Sequence, residues 1–273
     1  RDDILFAGVL DGAKPNANNR FLMESGLEIF DIGIWENPIR LSQLRTAEPV
    51  SGVAALDNTL YMATGRDGLS VVNVTDLTQP LLVQNFAIPG HVATDVDVDP
   101  VRRILAMSVA DELGTGFVRF YDLTDDGLAP PTGYGALQFN TGDLRGQPID
   151  LQWLAGKLYV LIKRDKALYL AVFESLDQAP ASYQVTKVER GVVNGLYGAS
   201  MLVQHGQITV TTTNEIIVLQ LNQGGAYETV YWNNISEPGA ELFSHHGGVL
   251  AFDGRGAVTT PSPALVVSQI SPA

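Results

Sequence analysis

The sequence predicts an all-β chain folded as a β-propeller of about six four-stranded blades, with seven as the alternative count. Three observations carry this expectation. Helical periodicity is hard to find, and short apolar runs rich in β-branched and aromatic residues recur instead, each closed by Gly, Asp, Asn or Pro. A strand–turn–strand hairpin returns along the chain at intervals of roughly 40 to 53 residues. Two further strand-like runs follow each hairpin, which gives the repeating unit the four strands of a propeller blade.

The hairpins align on their turns. Residues 56–63 turn at Asp57-Asn58, 154–161 at Ala155-Gly156, 204–210 at His205-Gly206 and 245–251 at His246-Gly247, while 98–106 is a looser copy with a longer turn. Third strands are then expected at 27–32, 69–74, 117–123, 168–173 and 216–221, and fourth strands at 39–44, 81–86, 135–139, 182–188 and 227–232. Such a unit cannot bury both faces alone, so neighbours must stack. Residues 240–260 make a weaker sixth unit. Residues 4–9 align with the second strand of later blades, which leaves the first blade without an inner strand. Residues 264–270 are expected either to supply that strand and latch the ring or to form the outer strand of the last blade.

Composition sets outer bounds. Hydrophobic residues make up 45% and charged residues 17%, so a large core can form and disorder is not expected. Thirty acidic against 17 basic residues give a net charge of −13. That field repels phosphate backbones and anionic lipid, so nucleic acid is not an expected partner, whereas a metal cation or a basic protein suits it. With no Cys, disulfides and thiolate metal sites are excluded. No apolar run reaches the ~20 residues that span a bilayer, so membrane insertion is not expected. The chain starts at Arg1 without Met or a visible leader, and it is expected to be a single propeller domain, 1–273, excised from a longer protein.

One segment is more specific. Residues 68–83, Gly-Leu-Ser-Val-Val-Asn-Val-Thr-Asp-Leu-Thr-Gln-Pro-Leu-Leu-Val, open with Gly-Leu, continue in a Val-rich strand, then Thr-Asp, then Pro80 and a closing strand. Gly26-Leu27-Glu28-Ile29-Phe30-Asp31-Ile32 with Asn37-Pro38-Ile39 is a second copy, and 120–125 a partial third. These resemble the LVIVD repeat of bacterial and archaeal surface propellers, with Asn73 for the usual Asp and Leu77 for the usual first Pro. The resemblance covers roughly a third of the chain and fades after Gly146. It implies a β-propeller of an exported or cell-surface protein, extracellular or periplasmic, and it carries over no catalytic residue.

Candidate sites fall in two places. In 94–99, Asp95, Asp97 and Asp99 alternate with valines, so period two puts the carboxylates on one face of an inner strand. With Asp150 on the equivalent strand of the next blade they are candidate ligands for Ca²⁺, a hard ion that takes oxygen donors; their other reading is as the lining of a wet channel or partners for Arg102 and Arg103. The second place is a rim of loops. Residues 11–25 form the longest insertion, interrupt a hairpin and bring Asn16, Asn18, Asn19, Arg20 and Phe21. Residues 110–116, with Asp111 and Glu112, hold the corresponding place in the third blade.

Other residue types point nowhere in particular. His91, His205, His245 and His246 lack a zinc-site spacing. No nucleophile elbow or P-loop occurs. Trp35, Trp153 and Trp232 read as packing residues rather than a sugar platform. The sequon at Asn73 falls inside the repeat motif, and a second lies at Asn234. The expected function is a non-catalytic interaction module that presents rim loops to a protein or glycan and requires no cofactor. The alternative is a Ca²⁺-dependent propeller enzyme, lactonase- or lyase-like, that uses the channel mouth.

Overall fold

The computed structural model describes residues 4–9, 25–34, 37–123, 135–176, 182–193, 196, 199–204, 206–212, 215–234, 240–245, 248–253 and 265–266. Strands dominate these residues, with one short 3-10 turn at Gly142–Leu144. They fall into two compact units, Arg1–Leu137 and Gln138–Ala273.

In unit 1 every sheet is antiparallel and runs in chain order. The first sheet is β1 (Ile4–Val9), β2 (Gly26–Asp31) and β3 (Ile39–Arg45). The second is β4 (Gly52–Leu56), β5 (Thr59–Thr64), β6 (Gly68–Asn73) and β7 (Leu81–Phe86). The third is β8 (His91–Asp99), β9 (Ile104–Asp111), β10 (Gly116–Asp122) and β11 (Ala136–Gln138), which ends at the boundary between the units. Period two divides the core. On β5, Leu60 and Met62 pack with Leu27, Ile29, Val50 and Val72. Tyr61 and Ala63 face the other way, toward Val96, Val98, Leu105 and Met107. The second sheet is therefore covered on both faces, and each large aliphatic side chain withdrawn from water contributes about 1.5–3 kcal/mol.

Unit 2 repeats the plan. Its sheets are β12 (Gln147–Leu154), β13 (Lys157–Arg164), β14 (Ala167–Ser175), β15 (Ser182–Val192), then β16 (Ala199–Gln204), β17 (Gln207–Thr212), β18 (Glu215–Leu221), β19 (Tyr227–Asn234), then β20 (Ala240–His245), β21 (Gly248–Asp253), β22 (Leu265–Val266). Tyr159, Leu161, Leu170 and Val172 of the first of these sheets bury themselves against Met201, Val203, Val210 and Ile217 of the next.

The repeat motif has a physical content. Gly68 adopts φ +77°, and a Cβ there would collide with the Phe86 carbonyl; at Gly26 a Cβ would collide with that of Leu44. Glycine thus lets the third strand lie close on the outer one. At the far end of that strand, Asp31 Oδ1 accepts the Gly33 amide at 2.9 Å and Asn73 Oδ1 accepts the Thr75 amide at 2.8 Å. Asn73 is an adequate replacement for Asp because only one acceptor oxygen is used. Outer strands β3, β7 and β19 also share a bulge at Leu41, Val83 and Val230, the residues skipped in their pairing registers.

Leu265–Val266 pairs with β21, as Ala251↔Val266 and Phe252↔Leu265, at the edge of its sheet, the side on which the outer-strand reading of 264–270 puts it. Two strand bounds change. The expected fourth strand at 135–139 contracts to three residues, whereas that at 182–188 extends to Val192, which pairs with Ala167 across a register shift. Residues 4–9 do hold the second-strand place, pairing with β2 from Ile4↔Asp31 to Val9↔Gly26.

Candidate functional site

The rim of unit 1 is built from turns between second and third strands. After β9, Asp111 turns back on its own loop. Its Oδ1 accepts the amides of Leu113 at 2.9 Å and Thr115 at 2.8 Å, and its Oδ2 accepts the Thr115 hydroxyl at 2.5 Å. Gly114 at φ +85° completes the reversal. Partial burial pushes the Asp111 carboxyl up, but the Thr115 hydroxyl, the two amides and the nearby His91 outweigh it, and the net shift is downward. The loop tip is left in water: Glu112 is 88% and Leu113 87% exposed. The equivalent turn of the second sheet brings Arg66, whose Nη2 lies 3.9 Å from Glu112 Oε1, an exposed pair worth little energetically. Beneath them His91, opposite Asp111 in the β8–β9 register, meets Phe117 edge to face at 5.0 Å.

Sequence reasoning placed Asp111 and Glu112 on the rim but not Arg66, His91 or Phe117. The signal was available in the hairpin alignment, which makes 65–67 equivalent to 111–115. Asn16, Asn18, Asn19, Arg20 and Phe21 lie outside the described residues, within the β1–β2 connection that is third in this series.

The inner-strand acids are placed by the seams between sheets. Gly52, Asp95 and Asp150 share one register position, four residues before the end of β4, β8 and β12. In unit 2, Asp150 Oδ2 accepts the Met201 amide at 2.7 Å, and Gln152 holds both backbone groups of Val203, at 2.6 Å from its amide and 3.2 Å from its carbonyl. In unit 1 the corresponding residues of β4 are Gly52 and Ala54, which have no such side chain. A Cβ at Gly52 would collide with Asp95 Oδ1. Asp97 Oδ1 instead accepts the amide of Val98, the counterpart of Val203, at 2.8 Å. Asp99 is buried, caps the hairpin turn through the amides of Val101 and Arg102 at 3.0 and 3.1 Å, and has Arg102 Nε 3.8 Å from its Oδ2. Among the described residues no group of three or more His, Cys, Asp or Glu side chains is gathered as a metal site. Asp95, Asp97 and Asp99 belong to unit 1 and Asp150 to unit 2.

Of the tryptophans, Trp153 is buried, while Trp232 is 38% exposed and donates from Nε1 to Glu215 Oε1 at 3.1 Å. Trp35, His205 and His246 lie outside the described residues. No described helix is long and apolar enough to cross a membrane.

Solved structures settle the architecture. A protein from Lactobacillus plantarum superposes with TM-score 0.60 at 14% identity, over 98% of this chain and 81% of its own. The β-propeller domain of Myceliophteria thermophila Cps50 (Swd1) gives 0.58 at 11%, over 92% and 76%. The WD40 repeats of RRP9 give 0.56 at 16%, over 84% and 68%. The fold is a β-propeller. No family model and no curated protein matches the sequence, so the likeness is one of architecture. In this propeller β4, β8, β12 and β16 are the inner strands of their blades, and the rim loops join second strands to third.

Proposed function

We propose that the chain is a non-catalytic interaction module whose rim loops recognise a protein. The observation that carries this reading is the β9–β10 turn: a carboxylate spends its oxygens on ordering the loop, and the ordered loop holds Glu112 and Leu113 out in water. A rigid tip pays less entropy on binding than a mobile one. Arg66 and the insertion that contains Asn16, Asn18, Asn19, Arg20 and Phe21 extend the same series of loops. The β-propeller neighbours support a scaffold of this kind, one of them built of WD40 repeats. Placement outside the cell or on its surface is part of the proposal and rests on the LVIVD-like motif at 26–39 and 68–83.

The test compares the wild-type chain with a Glu112→Ser, Leu113→Ser double variant as immobilised bait for proteins of the producing organism. A protein retained by the wild type, lost with the variant and rebinding when purified supports the reading. Retention that is equal for both baits removes the rim from it.

A further inference from the structure

Outer strands of a blade present an open edge, and natural proteins guard such edges with charge, brevity or cover. The outer strands here are guarded unequally. β3 carries Arg40 and Arg45, β11 is three residues long, β15 carries Lys187 and β19 carries Glu228. β7, Leu-Leu-Val-Gln-Asn-Phe, has no charged residue. It ends its sheet, in the order β4-β5-β6-β7. Its first five residues are exposed, so both faces of the strand meet water, with Leu81 at 65%, Leu82 at 38% and Val83 at 60%. Along such a strand alternate residues turn N–H and C=O away from the sheet, so six residues offer about three sets of backbone groups to an added strand. The bulge at Val83 does not count as a special guard, because β3 and β19 share it.

The ends of β7 indicate what would pair there. Asp76 stands in the turn that leads into the strand, where bonds from the Thr78 hydroxyl and amide keep its carboxyl below the ordinary range. At the other end Asp67 precedes Gly68, the residue that packs on the Phe86 carbonyl. An uncharged apolar edge thus lies between two carboxylates in a molecule of net charge −13. A second copy would bring like charge to like charge.

We infer that β7 is a docking edge for an extended segment of a partner protein, apolar at alternate positions and flanked by Lys or Arg, which adds to the sheet as a further strand. Backbone bonds to β7 supply the register, Leu81 and Val83 supply apolar contact, and Asp76 and Asp67 receive the basic flanks. This edge touches the rim only at the 65–67 turn, through Asp67, and takes nothing from Glu112 or Leu113, so either surface can fail without the other.

The probe is a fluorescein-labelled nine-residue peptide of alternating valine and threonine with a lysine at each end, followed by anisotropy and by amide exchange. Saturable binding is expected, weakened about tenfold or more by Val83→Lys, which charges the edge. Val101→Lys makes the same charge change at a turn that is 90% exposed and should bind as the wild type does. Amides of Leu81–Phe86 should gain protection on binding. Leu81→Lys replaces Val83→Lys if the latter does not fold. No saturation up to about 1 mM, equal binding to Val83→Lys, or protection confined to other strands overturns the proposal. A dimer of the chain that Val83→Lys abolishes also overturns it, in favour of a second copy.

Discussion

At Gly68 the backbone sits at φ +77° with the Phe86 carbonyl where a β-carbon would be. Gly68→Ala is expected to cost roughly 2 kcal/mol or more, seen as a lower urea midpoint at unchanged slope. Asp111 makes a different kind of prediction. Its folded pKa is lowered, so its stabilising effect is fully present above the unfolded value, near about 3.9, and is lost as pH falls through the folded value. Asp111→Asn should flatten the acid end of the stability–pH curve and speed amide exchange at Leu113 and Thr115. The effect on global stability is small, since the group is only partly buried and solvent screens it. Gly26 and Gly68 were legible in the sequence because the motif repeats them at one position. Arg66 was legible only through the alignment of the 65–67 turn with that after β9, and Phe117 was not, because neither residue type nor local spacing says which ring packs under a turn.

Strand order was the most legible feature at the level of elements, since hairpin turns and period-two burial are local properties. The partners of the inner strands were not. An Asp–Val alternation places three carboxylates on one face, but what they meet depends on the strand across the seam. Where that strand offers Gly52 and Ala54, Asp97 serves its own neighbour's amide. Where it offers Asp150 and Gln152, those side chains do the work. Gln152→Ala should therefore leave the Val203 amide without its partner and cost about 1–3 kcal/mol. Gln152→Glu keeps the acceptor, loses the donor to the Val203 carbonyl, and should fall between. Both are read by thermal or urea unfolding.

For the whole molecule, the propeller was legible because a strand-only repeat leaves few other architectures. Its two ends were less so: β1 pairs as a second strand, as its sequence suggested, while 264–270 had two places open to it, of which Leu265–Val266 takes the one in the last sheet, beside β21. A two-residue strand carries too little pattern for sequence to choose its partner. The proposal of a module that requires no cofactor predicts the same melting temperature in EDTA and in excess CaCl₂. A rise of several degrees with Ca²⁺ would instead show an ion bound preferentially by the folded chain.

The two kinds of seam also limit how freely this protein can be rebuilt. Its repeats look like interchangeable modules, yet each carries the address of the next. Setting β12–β15 in place of β4–β7 would bring Asp150 and Gln152 where Gly52 and Ala54 now stand, against a β8 that already carries Asp95 and Asp97. Two carboxylates would then compete for the space over Asp95, and Gln152 would reach for an amide that Asp97 already holds. A shuffled chain of the same blades would keep every strand and lose its fit, so the order of the repeats is itself encoded in them.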